Sequence, residues 1–323
     1  SLSVTNGAFL SSSTLGQGDA GVVSIDARDR VIFDGVGTNG LNSAARSLVL
    51  SEAVGNGGEI RINTGLLSLS NGADLEVSTA GKGNAGNIII NARDTVTFDG
   101  ISTSGINSAA RSRVTRTAEG NGGNIIVNAG SLNLRDSAQL VSLTTGKGNA
   151  GNVTINISGL VDIVGVENRF PSGIISGVGT GVEGNGGDIT VNAGSVNLRD
   201  GAQLISSTSG KGNAGNITLT AKNKILLSGD SRINSDAKFS AIGNGADINI
   251  QAQNIYLTND AEVDTNSFGQ GNSGNIQIKT DDSLFIFRGA RLSSIIVGLG
   301  KAGNIDLEDG NLAYLDGLGK DGG

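Results

Sequence analysis

The sequence predicts an all-β protein, a right-handed parallel β-helix of about ten coils of 28 to 37 residues. Three observations lead there. A glycine-rich turn recurs along the whole chain, strict apolar–polar alternation follows each copy, and the composition leaves only aliphatic residues to fill a core. The turn reads "GQGDAG" at 16–21, "GKGNAG" at 81–86, 146–151 and 210–215, "GQGNSG" at 269–274 and "GLGKAG" at 298–303. Shorter forms, "GNGG" or "GNGA", stand at 55–58, 120–123, 184–187 and 243–246. A single G-x-G-x-x-G suggests a dinucleotide-binding turn, but such a turn occurs once per domain and opens a helix. Here every copy opens a strand.

Each element follows from this repeat. After Gly151, Val153, Ile155 and Ile157 alternate with Asn152, Thr154 and Asn156; the segments after Gly187 and Gly215 do the same. Period two marks a strand with one buried face. Two further short strands complete a unit, as in "SLNLRD" (131–136) and "AQLVSLT" (138–144). A unit this small cannot enclose its own apolar side, so successive units must stack. Equivalent strands then run parallel, and the crossover rule favours the right hand. About ten coils at about 4.8 Å each make a rod on the order of 50 Å long. Ile60, Ile88, Ile125, Val153, Ile189, Ile217, Ile248, Ile276 and Ile305 fall at one position of the repeat and should form an inward column.

The turn needs no ligand to explain it. Glycine reaches positive φ without steric cost, and asparagine tolerates the left-handed region better than most residues. The fourth turn position is Asn at 56, 84, 121, 149, 185, 213, 244 and 272, with Asp19 and Lys301 at the two ends. Stacked coil on coil, these amides should form hydrogen-bonded ladders.

The organisation is one β-helix domain over residues 1–309, with 310–323 as a tail or cap in which Leu312, Tyr314 and Leu315 cover the apolar end. The opening "SLSVTNGAFLSSST" aligns with "LLSLSNGADLEVST" (66–79), so the two ends are roughly complementary in register. End-to-end stacking into filaments follows as one possibility, and a cut from a longer chain as the other.

Composition narrows the chemistry. With no Cys and no His there is no thiolate nucleophile, imidazole base, zinc finger or disulfide. A net charge of −7 disfavours nucleic acid and anionic lipid. No run of eighteen apolar residues is present to span a membrane as a helix. The first residues show no export signal, so any such signal lies outside this segment.

Runs such as "GNAGNIIINARDTVTFDGISTSGINSAA" and "GNGGNIIVNAGSLNLRDSAQLVSLTTGKGNAGN" resemble the repeat region of filamentous-haemagglutinin-like exoproteins, particularly the large cyanobacterial ones. The resemblance covers residues 1 to 307. It implies an extracellular or cell-surface stalk, exported by two-partner secretion and serving adhesion, with no catalytic residue, cofactor or metal to carry over. The family's amino-terminal secretion domain is not visible in these residues.

Several groups are candidates for chemistry. Asp34 and Asp99 match in "VIFDGV" and "VTFDGI", and Asp136 and Asp200 match in "NLRDSAQL" and "NLRDGAQL". Paired carboxylates about 5 to 9.5 Å apart would serve glycoside hydrolysis. These acids recur with the repeat, which favours a corner role with Arg135 and Arg199 as local charge relief; a carbohydrate-active enzyme or polysaccharide-binding module is the alternative. Asp19, Asp188 and Asp247 are the turn acids that calcium would use.

The irregular feature is the long coil. Residues 35–54, 100–119 and 165–183 carry eight or nine extra residues in alternate coils, on one flank. Arg46, Arg111, Arg113, Arg116 and Arg169 concentrate there, with Phe170 and Pro171 as a rigid tip. The segments read either as a shielding flap or as a partner site for acidic surface polysaccharide, a cell-surface receptor or a neighbouring rod.

Overall fold

The computed structural model describes residues 1–165 and 170–317. Among them every regular element is a strand, and every ladder between named strands is parallel. The strands form two sheets, one of 13 and one of 10. Within each sheet neighbours come from successive coils, as expected of a parallel β-helix. The coil opened by Gly86 shows the plan. Ile88–Asp99 lies in the large sheet, residues 100–108 turn the corner, Ala109–Val114 lies in the small sheet, and an irregular side leads to Gly123.

The three short strands expected per unit are seen in one coil, as Ile125–Ala129, Ser131–Arg135 and Gln139–Thr144. In the last coil the first two are also separate, as Ile305–Glu308 and Leu312–Asp316, and in the other complete coils they fuse into one long strand such as Ile217–Ser228. A register shift in the middle of these strands marks the bend; between strands 153–164 and 189–199 it falls at Ile157/Leu160. The third side carries isolated parallel bridges, among them Val54 to Lys82, Lys82 to Glu119 and Glu119 to Lys147.

The predicted isoleucine column is present. Ile60, Ile88, Ile125, Val153, Ile189, Ile217, Ile248, Ile276 and Ile305 are paired one above another. All are fully buried except Ile305, which is 42% exposed because no coil lies over it. Full burial of such a side chain is worth roughly 1.5 to 3 kcal/mol. Two further columns show how the core keeps its volume. Phe33 and Phe98 occupy the position held by Leu69 and Leu134 in the intervening coils. In the facing sheet, the same two coils place Ala45 and Ala110 where their neighbours place Leu75 and Leu140. All eight are fully buried, so a large residue on one side accompanies a small one on the other.

The carboxy-terminal segment differs from the expected cap. Leu312–Asp316 is a parallel strand that pairs Ser283 with Leu312 and Ile286 with Leu315, so that it completes, beside Ile305–Glu308, the last coil of the large sheet. Leu315 takes an inward position but stays 60% exposed, and Tyr314 packs its ring 6.3 Å from that of Phe285. The strand extends the stack instead of crossing its end, because the same alternation that builds every other coil persists in "LAYLD". Residues 318–323 of the predicted tail lie outside the described residues.

Candidate functional site

The turns are held by side chains that replace ligands. Asn56, Asn84, Asn121 and Asn149 each accept, through Oδ1, the backbone N–H of the equivalent residue one coil on, at 2.8 to 3.1 Å. Asp19 begins this ladder by accepting from Asn56 N–H at 2.6 Å, and Lys301 ends it by donating its N–H to Asn272 Oδ1 at 2.9 Å. The expected ladder exists, but it links amide oxygen to backbone. Gly148 shows why the adjoining position excludes a side chain: its φ is +136°, and a Cβ would lie 1.9 Å from the carbonyl oxygen of Gly120.

A second ladder runs three residues on. Asn124, Asn152, Asp188, Asn216, Asp247, Asn275 and Asn304 donate their N–H to the preceding side-chain oxygen, at 2.7 to 3.1 Å. Asp19, Asp188 and Asp247, the candidate calcium ligands, thus each spend a carboxylate oxygen as an Asn-like acceptor. No group of three or more metal-capable side chains converges among the described residues.

The arginines and the insertions are separate features, which corrects the sequence expectation. The extra residues form small hairpins, closed by antiparallel bridges from Val36 to Asn42 and from Ile101 to Asn107. Each hairpin folds down on the corner of the preceding coil. Ser43 Oγ donates to the Asp34 carbonyl and accepts from Gly7 N–H; Ser108 Oγ does the same with Asp99 and Gly72. Gly72 has φ +87°, and a Cβ there would meet the Ile106 carbonyl oxygen at 2.8 Å. Arg46, Arg111 and Arg113 come after the hairpins, on the outer face of the small sheet in Ala44–Val49 and Ala109–Val114.

Acids of the intervening coil hold two of them. Arg111 pairs with Asp74 and also donates to the carbonyl and Oδ1 of Asn107 at 3.0 and 2.6 Å; Arg113 pairs with Glu76 at 2.9 Å. Burial pushes the Asp74 carboxyl up from its ordinary value, and Arg111 opposes that shift. Arg46 lies over the Phe9 ring at 5.4 Å. Arg116 is exposed in the turn beyond, and Phe170 is 66% exposed. Arg169 lies outside the described residues.

The repeated acids sit at corners. Asp136 and Asp200 have φ of +49° and +56°. Asp34 Oδ1 accepts from Ser70 Oγ at 2.6 Å and Asn71 Nδ2 at 2.8 Å. Asp99 is raised from its ordinary value by burial and by neighbouring Asp136. Arg135 and Arg199 reach past the adjacent corner acids to Asp162, each at 3.0 Å, from the coils on either side of it. Asp162 stands between Asn133 and Asn197 of the neighbouring coils, and nothing in the repeat pattern singles it out.

A concave feature opens on the outer surface of the large sheet. At the bend of the large sheet a trough of about 560 Å³ runs across several coils. Asn128, Asn156 and Asn192 line one side, and Ala129, Ile157 and Ala193 lie beside them. Arg93 stands at one end and Lys222 at the other. In the coils between, the bend carries Gly130, Ser158, Gly159 and Gly194, which leave the space open. The asparagines belong to a third ladder, an amide-to-amide one. Asn63 Nδ2 donates to Asp26 Oδ1, and Asn91, Asn128, Asn156 and Asn192 continue it at 2.8 to 3.0 Å. The signal is present in the sequence, since each of these asparagines stands five residues after the last glycine of its turn. Alternation alone marks them only as outward polar residues.

No family model, curated protein or solved structure matches the chain.

Proposed function

We propose that the chain is a structural segment, an extracellular or cell-surface stalk or fibre of an adhesin-like exoprotein without enzymatic activity. The observation that carries this reading is continuity: a single apolar core, aliphatic apart from Phe33 and Phe98, passes through the described coils, and polar ladders run beside it. Each coil contacts chiefly its neighbours, so the stack resists proteolysis and separates what lies at its two ends. The partners of such a segment are further coils stacked end to end, from neighbouring segments or other copies. Resemblance to filamentous-haemagglutinin-like repeats supports the surface location.

Removing residues 87–151 joins Gly86 to Asn152 and restores the "GN" junction while taking out two coils. Made in the otherwise intact chain, this deletion should shorten the rod seen by electron microscopy by about 10 Å. Receptor affinity should be retained and attachment distance reduced. A deletion that leaves rod length unchanged, or abolishes a turnover measured on intact chain, overturns the stalk reading.

A further inference from the structure

Asn128 and Asn156 each use half of their hydrogen-bonding capacity on the ladder, and Asn192 gives one N–H to it. An amide offers two N–H donors and two acceptor lone pairs. Asn156 gives one N–H to Asn128 Oδ1 at 2.9 Å and accepts one from Asn192 Nδ2 at 3.0 Å. At least one donor and one acceptor per coil remain for a ligand. They repeat at the coil spacing of about 4.8 Å. From Arg93 to Lys222 there are four coil steps, or about 19 Å. Lys222 makes one end cationic, while Arg93 at the other end is already paired with Asp94 at 2.7 Å; among the described residues no carboxylate lines the trough, in a chain whose net charge is −7.

We propose that this trough binds a linear acidic polysaccharide lying along the rod axis, a β-linked chain of uronic acid residues. The sugar hydroxyls meet the free donors and acceptors of Asn128, Asn156 and Asn192, and a carboxylate meets Lys222, with Arg93 and its partner Asp94 closing the far end. The repeat decides for a glycan over an acidic peptide. Like-facing side chains of an extended peptide recur at about 6.7 Å and drift out of step with the ladder. A β-1,4-linked pyranose unit advances by nearly one coil. Opening of the trough over the glycine-bearing coils fits a ring better than a flat sheet face would.

This binding is independent of the stalk reading, which rod imaging decides. The test is titration calorimetry of the intact chain with a hexamer of β-1,4-linked mannuronate, with cellohexaose as the uncharged counterpart. Expected is saturable binding of the mannuronate hexamer, weaker binding of cellohexaose, and about a tenfold loss for Lys222→Ala, equivalent to about 1.4 kcal/mol. Ser158→Leu should block the trough and abolish binding while leaving every ladder bond in place. Asn156→Thr, which copies Thr220 of the same column, should weaken binding without unfolding the coil. Absence of binding by both sugars, equal binding of the two, or unchanged binding by Ser158→Leu and Lys222→Ala overturns the proposal.

Discussion

Replacing both Phe98 and Ala110 by Leu tests the volume compensation between the two faces of the core. Leu at both positions carries the same number of side-chain carbons as Phe plus Ala, and it reproduces the pair Leu134 and Leu140 of the next coil. Alone, Phe98→Leu gives up roughly 2 kcal/mol of transfer free energy, with a cavity added to it. Ala110→Leu alone forces extra carbons into a fully buried site and costs about 1–3 kcal/mol. Independent effects would sum to about 4 kcal/mol, whereas a volume-conserving pair should cost less than about 1.5 kcal/mol. A coupling of about 2–3 kcal/mol in the stabilising direction is therefore expected. The assay is urea unfolding of wild type, both singles and the double. It should be paired with amide hydrogen exchange on Ile88–Asp99 and Ala109–Val114, because solenoids can open locally. A double variant whose loss equals the sum of the singles refutes the reasoning.

Asp264 gives a pH test. Its carboxyl is raised to about 6, by burial first and then by Asp236 and Glu262, with Arg232 and Arg291 opposing. A folded-state value above the unfolded one means that the folded chain binds the extra proton, so stability should fall as pH rises from about 4 through about 6. Thermal unfolding should show Asp264→Asn raising the melting temperature at pH 7 and flattening this slope; an unchanged slope contradicts the assignment. Arg111→Met should destabilise by about 3–5 kcal/mol by stranding buried Asp74. Adding Asp74→Ala, in a column where Ala44 and Ala109 are its neighbours, should restore most of the loss in the same unfolding assay. In the turn ladder, Asn149→Asp keeps the acceptor for Asn185 N–H and should be nearly neutral. Asn149→Ala should cost about 0.5–1.5 kcal/mol, read as faster exchange at Asn185.

The inward columns are legible in the sequence because period two leaves no choice of face once one isoleucine is placed. The turn ladder is legible for a related reason: an Asn at a fixed offset in eight copies must meet itself when coils stack. Positions within the long coil are not. The extra residues and the arginines adjoin in sequence, and only pairing of Ala44 with Asp74, and of Ala109 with Asp74, shows that the hairpin ends before the arginine strand begins. Asp162 escapes notice because its two arginines lie one coil before and one coil after it, at separations of 27 and 37 residues. The trough is illegible because it depends on glycines being concave together, a property of the bend and not of any one residue. The tail misleads because its position beyond the last glycine turn suggests a lid, while its alternation is that of one more strand.

The alternation of hairpin-bearing and tight corners has a consequence for how such a chain finds its register. Ladders and isoleucine columns look nearly identical from one coil to the next, so a strand paired one coil out of place would satisfy most of its bonds. The hairpins supply a parity check. A slip by one coil lays a hairpin against a hairpin and leaves the seats at Gly7 and Gly72 unmatched. A slip by two restores them, because Gly21, Gly86 and Gly151 are evenly spaced. Only the change in corner type beyond Gly187, where the long coils cease, distinguishes that error from the native pairing.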